Sequence, residues 1–164
     1  MKKIVILLIT MCLFTSITGC KKKTEKNFDQ LSIANPYVTV TSVDDFKNEL
    51  DIIIIPPENA TNLTYSIINK KIAQIGYELN DIHYTYRASK LVNDTLHGIY
   101  DAVNKSEQFF INNGTEVLIN TTDTDKKTVT WSYDNINYSL TIEGLIDNED
   151  LLSFVQNDIE QLTN

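Results

Sequence analysis

The sequence predicts an α+β domain: an antiparallel meander sheet of about six or seven strands, flanked by a short N-terminal helix and a C-terminal amphipathic helix. Three observations carry this. From Asn62 to about Ile142 the apolar residues recur at every second position, the period of a strand with one buried face. Short polar pairs such as Asn80-Asp81, Asn113-Gly114 and Asp134-Asn135 separate these runs, and such residues favour tight turns. At both ends of the region the apolar spacing changes to three and four.

The elements follow in order. Asn35-Pro36 marks the start of the domain, because the residue before proline is pushed towards extended geometry. In TSVDDFKNEL, Ser42 and Asp45 have the spacing of a capping box, and Val43, Phe46 and Leu50 share one helical face. The run Ile52 to Ile55 favours extended backbone packed from both sides, and Pro56-Pro57 ends it. LTYSIIN places Leu63, Tyr65 and Ile67 on one side of a strand. KIAQIGYEL turns Ala73, Ile75, Tyr77 and Leu79 inward, and IHYTYRA turns Ile82, Tyr84 and Tyr86 inward. Residues 89–106 read as a longer connection. SEQFFINNGTEVLI is a hairpin about Asn113-Gly114. TVTWSYD and INYSLTI then supply Val129, Trp131, Tyr133, Ile136, Tyr138, Leu140 and Ile142 to one face. Asp147 and Asp150 open the last helix, whose stripe is Ile146, Leu151, Leu152, Val155, Ile159 and Leu162.

The first residues give an address. Lys2 and Lys3 precede Ile4 to Ile17, 14 residues without a charge. A membrane span needs roughly 20 apolar residues, whereas a signal-peptide core needs about 7–15. The run Ile17-Thr18-Gly19-Cys20 resembles the lipobox of bacterial lipoproteins. That resemblance implies cleavage after Gly19, with diacylglycerol, and the palmitate such proteins carry, on Cys20. Residues 1–19 are then a lipoprotein signal peptide, 20–34 a lipidated flexible tether, and 35–164 a single domain. Lys21, Lys22, Lys23 and Lys26 beside the lipid can add attraction to anionic headgroups. The only other cysteine, Cys12, lies in the leader, so the mature chain has no disulfide framework.

Charge narrows the function classes. From Asn35 onward there are 8 basic and 20 acidic residues, a net of −12. Nucleic acid needs a basic footprint, so it is excluded as a partner. The histidines His83 and His97 stand fourteen apart with no cysteine near them, and no ligand spacing for a metal is present. No G-x-S-x-G or S-x-x-K motif and no phosphate-cradling glycine loop occurs. The expectation is a protein without catalytic residues, metal or cofactor.

The most individual stretch is HYTYRASKLVNDTLHGIYD, residues 83–101. Arg87, Lys90 and Lys105 are the only bases between residues 72 and 120. An arginine at a strand end can clamp a carboxylate or phosphate with two parallel bonds, or it can pair internally with Glu78 or Asp101. Tyr86, Tyr100 and Trp131 either fill the core or line a groove between sheet and helix. Arg87, Lys90, Tyr86, Tyr100 and Trp131 are therefore the candidate binding residues.

NPYVTVTSVDDF, IAQIGYELNDIHYTYRASK, GIYD and WSYDNINYSLTI, with the acidic terminal helix, resemble a domain of unknown function. That domain recurs in lipoproteins and anti-sigma-factor-like membrane proteins of Gram-positive bacteria. The resemblance covers roughly residues 35–162. Similar sequences carry Asp-Ile-Ser-Gly where this chain has Asp94-Thr95-Leu96-His97-Gly98, a departure in the connecting loop. The resemblance implies a non-catalytic extracytoplasmic domain tied to the membrane. The expected role is a lipid-anchored binding or regulatory module on the outer face of the cell membrane, meeting an envelope protein partner. The alternative is a small-ligand or lipid-binding module with an aromatic-lined groove.

Overall fold

The computed structural model describes residues 35–91 and 95–163. The expected signal peptide, the tether, Cys20 and Asp94 lie outside the described residues. In chain order the elements are β1 (Tyr37–Val40), α1 (Val43–Leu50), β2 (Thr61–Ile68), β3 (Ile72–Leu79), β4 (Ile82–Ser89), β5 (Val103–Phe110), β6 (Glu116–Thr122), β7 (Lys127–Tyr133), β8 (Ile136–Glu143) and α2 (Asn148–Thr163). The strands form one eight-stranded antiparallel sheet in the order β1-β2-β3-β4-β8-β7-β6-β5. The α+β class holds, but the strand count is eight, not six or seven. The additional strand is β1, four residues whose Tyr37 pairs with Ile68 and Val40 with Tyr65. Four residues are too few to show a period, and three of these are exposed.

The turns follow their residues. Asn80-Asp81 and Asp134-Asn135 have positive φ at both positions, as does Asn69-Lys70, which joins β2 to β3. That geometry matches the right-handed twist of the strands it links. Asn113-Gly114 differs from the two-residue form: only Gly114 is left-handed, at φ +83. Its N–H donates to Ile111 O at 2.9 Å, and Ile111 N–H donates to Thr115 O at 3.1 Å. The β6–β7 turn repeats this pattern, with Asp125 in the left-handed position and Thr122 bonded to Lys126.

At the start of α1 the Asp45 carboxylate accepts from Thr41 N–H at 2.8 Å, Thr41 Oγ1 at 3.0 Å and Ser42 N–H at 3.1 Å. These bonds hold the Asp45 carboxyl below its ordinary value, the Thr41 backbone bond first. Asp51 closes the helix in a left-handed conformation and pairs with Lys47 and Lys90. Hydrogen bonds from those two lysines pull its carboxyl down to about 2.

One face of the sheet is the core. Ala73, Ile75, Tyr77, Tyr84, Tyr86, Ala88, Val117, Ile119, Val129, Trp131, Tyr138, Leu140 and Ile142 all point to it. Phe46 of α1 covers the β2–β3 end, 6.2 Å from the Tyr65 ring. Leu151, Val155 and Ile159 of α2 are buried, and Phe154 meets Tyr86 and Trp131 edge-on. The isoleucine run does not pack from both sides: Ile52 and Ile54 are buried, while Ile53 and Ile55 are exposed. It lies outside the ladders, so only alternate residues face the core. Leu63 is also partly expelled, because the β2–β3 register shifts between Thr61 and Thr64. No helix among the described residues is long and apolar enough to cross a membrane.

The chain enters the second half of the sheet by a crossover. Each of the four steps from β4 through β8, β7 and β6 to β5 is antiparallel, so β4 and β5 run parallel. Parallel strands cannot be joined by a hairpin, and the connection must traverse a face of the sheet. Leu96 and His97 of this connection bond Arg87 and Thr141 on the face opposite the core.

Candidate functional site

The five residues singled out by sequence do not form one site: Tyr86 and Trp131 stack in the core, and Arg87, Lys90 and Tyr100 lie elsewhere. Tyr86 is fully buried in the core, 5.8 Å from Trp131 and 6.2 Å from Tyr138. Its hydroxyl donates to Asp158 at 2.7 Å. Trp131 stacks on Tyr138 at 5.5 Å and 10°. Both are core residues rather than the lining of an open sheet–helix groove, because α2 closes directly over them. Arg87 lies on the opposite face, since neighbouring residues of a strand alternate. Lys90 reaches Asp51 at 2.9 Å, joining the start of the crossover to the end of α1. Tyr100 is 84% exposed on the crossover itself.

Arg87 is the internal fastener of the crossover. Its Nε donates to Gln74 Oε1 at 2.7 Å and its Nη1 to the Leu96 carbonyl at 3.1 Å. Among the described residues it forms no ion pair, so neither Glu78 nor Asp101 is its partner. Burial pushes its guanidinium below the usual arginine value. Thr141 Oγ1 donates to the His97 carbonyl at 3.0 Å, beside it. Ser89 Oγ takes Leu91 N–H at 3.1 Å, and Asp123 N–H donates to Ala102 O at 3.2 Å. The segment is thus tied to the sheet at its beginning, middle and end.

Gly98 explains how the chain passes so close. It sits at φ +70, and a Cβ there would stand 1.9 Å from Arg87 Nη1. Gly98→Ala is expected to cost about 1–3 kcal/mol through backbone strain and the clash together. In a double-mutant cycle with Arg87→Ala the costs should fall short of additive, measured by urea unfolding. Full additivity would mean that the two residues do not share the contact.

Beside the crossover the outer face opens into a groove of about 610 Å³. Its floor is made by the outward residues Leu118, Asn120, Thr130, Ser132 and Asn137 with Trp131 and Tyr138 between them, and its wall by Leu96 and His97. Glu116 stands at one end. The His97 imidazole accepts Ile99 N–H at Nδ1, 3.0 Å away, which fixes the ring with its proton on Nε2 when neutral. Beside Leu96, Leu118, Trp131 and Tyr138, the groove offers the amides and hydroxyls of Asn120, Thr130, Ser132 and Asn137, with the His97 ring and the Glu116 carboxylate. Such a surface fits backbone-like or hydroxyl-bearing ligands, and the carboxylate opposes an anionic one. Of the residues singled out by sequence only Trp131 is among those lining it; most of the others are polar alternates of the strands, which read as solvent-facing. The one available signal was the density of Thr, Ser and Asn at those positions.

Among the described residues no group of three or more His, Cys, Asp and Glu is placed to hold a metal. No family model, curated protein or solved structure matches the chain.

Proposed function

We propose that this chain is a lipoprotein anchored through Cys20 to the outer face of the cell membrane, and that its domain is a non-catalytic module that binds an envelope protein through the outer face of the sheet. The observation that carries the reading is the asymmetry of the sheet. Its buried aromatic residues and both helices occupy one face, while the other keeps an open groove beside a firmly tied crossover. A surface held in place before binding loses little conformational entropy when a partner arrives. The resemblance to the extracytoplasmic domain of Gram-positive lipoproteins and anti-sigma-factor-like proteins agrees with this reading. So does the net charge of −12 from Asn35 onward, which repels an anionic membrane and holds the domain away from it.

The test is recovery of partners from membranes after in-cell crosslinking, with Cys20→Ala as the unanchored control and Thr130→Arg to fill the groove. The reading expects one membrane protein recovered by the anchored chain and lost with Thr130→Arg. Recovery that ignores Thr130→Arg would sink it.

The groove volume also favours a second reading. About 610 Å³ lies within the ~300–1,000 Å³ of small-molecule sites. In that case a small polar compound copurifies with the chain and is absent from the Thr130→Arg variant. The site for such a ligand is the outer groove, not the aromatic space under α2.

A further inference from the structure

The sheet is open, and its two edges are unequal. β1 is four residues long, whereas β5 is eight. Six of the eight β5 residues are exposed and none is buried. An uncovered edge of this length presents a row of backbone donors and acceptors to another strand. Its own side chains indicate which strand. Lys105, Glu107 and Phe109 point to the helix-bearing side, opposite Thr121, Ile119 and Val117 of β6. In an antiparallel pairing of two β5 strands about a two-fold axis, one register stands out. With Ser106 opposite Ser106 of the second copy, Lys105 faces Glu107 of that copy, and Glu107 faces its Lys105. Shifting by two positions in sum sets Lys105 against Lys105 or Glu107 against Glu107. Opposite charges across a strand pair stabilise, and like charges oppose.

We propose that β5 is a self-association edge, and that its occupant is a second copy of this chain paired in the Ser106 register. Within one copy, Lys105 Nζ already lies 2.9 Å from Glu107 Oε1. The other carboxylate oxygen, Oε2, accepts from Asn148 of α2 at 3.1 Å. Pairing exchanges the lysine on Oε1 for that of the second copy and leaves the Asn148 bond in place. The register shift between Val103 and Lys105 leaves three facing pairs, Lys105–Glu107, Ser106–Ser106 and Glu107–Lys105, in the regular part of both strands. A contact built on one strand edge is smaller than the ~1,200–2,000 Å² of stable interfaces. The dimer therefore exchanges quickly, and it needs a covalent trap to be seen.

Ser106→Cys in the full chain, in isolated membranes under mild oxidation, supplies the trap. Directly opposed residues of antiparallel strands stand at a separation that a disulfide can span. The parent chain serves as the blank for Cys12 and Cys20. The expected result is a disulfide dimer specific to Cys at position 106. Lys105→Glu or Glu107→Lys, each added alone, lowers its yield about fivefold or more. Mixing the two charge variants, tagged differently, restores it as a heterodimer, because every facing pair is then opposite in sign. That restoration cannot come from the contact within one strand, which both variants lose. No position-106 dimer, yields indifferent to either charge change, or no rescue in the mixture would each overturn the proposal. Pairing of β5 with β1 of a neighbour would give the first of these.

Discussion

Asp158→Asn is expected to stabilise the protein by about 2–3 kcal/mol at pH 8 and to leave it unchanged at pH 4. Asp158 is 5% exposed, on the core side of α2, with Tyr77, Tyr86 and Tyr138 around it. Burial raises its carboxyl to about 6, and the hydrogen bond from Tyr86 offsets only part of that. In the unfolded chain the same carboxyl titrates near 3.8. Between those values the folded protein keeps a proton that the unfolded chain has released. The contribution to stability is therefore full at the acid end and fades as pH rises from about 4 to 6. A shift of this size corresponds to about 3 kcal/mol, since one unit is about 1.4 kcal/mol. The depressed carboxyls of Asp45, Asp51 and Glu107 act in the opposite sense and in a different window. Their contribution is lost as pH falls below the unfolded value near 4. Urea unfolding of both proteins from pH 4 to 8 separates the two. Parallel curves for the parent and Asp158→Asn would show that Asp158 is not the group responsible.

Trp131→Ala is expected to cost about 3–5 kcal/mol. The indole is 4% exposed and is packed by Tyr138, Tyr86 and Phe154, with centroids at 5.5, 5.8 and 6.3 Å. Removing it opens a cavity where four aromatic rings from β4, β7, β8 and α2 meet. Trp131→Phe should cost far less, because Nε1 is buried with no hydrogen-bond partner among the described residues. A phenyl ring keeps much of the stack and removes that unsatisfied donor, whose burial alone costs about 1–3 kcal/mol. The check is again urea unfolding. A loss below about 1 kcal/mol for the alanine variant would mean the ring does not hold the core together. It would also reopen the aromatic groove under α2 as a binding space.

The strands from Ile72 to Ile142 were legible because one side is buried and the other polar, so the period of two survives in the sequence. Tyr84 and Tyr86 alternate with His83, Thr85 and Arg87, and the structure puts the first pair under α2 and Arg87 under the crossover. The terminal helix was legible through Leu151, Val155 and Ile159. Asp158 was not, since an acid beside Ile159 reads as the solvated side of the helix. β1 was hidden by its length, and the Val103 end of β5 by its exposure, which leaves no apolar alternation to see. The candidate site was least visible of all. Arg87 was singled out for its charge, yet its role depends on Gln74 and the Leu96 carbonyl. No local pattern joins those residues, because the fold places them together only when the chain crosses from β4 to β5. The groove residues Leu118, Asn120, Thr130 and Asn137 come from three strands and share only that each is an outward alternate of its own strand.

Site-specific photo-crosslinking in cells tests the central claim most directly. A photoreactive residue is placed at Thr130 or Ser132 on the groove floor, or at Asn157, exposed on α2. The account predicts that the two groove positions trap the same envelope protein and that Asn157 traps none. Equal trapping from all three positions, or trapping from Asn157 alone, would contradict it.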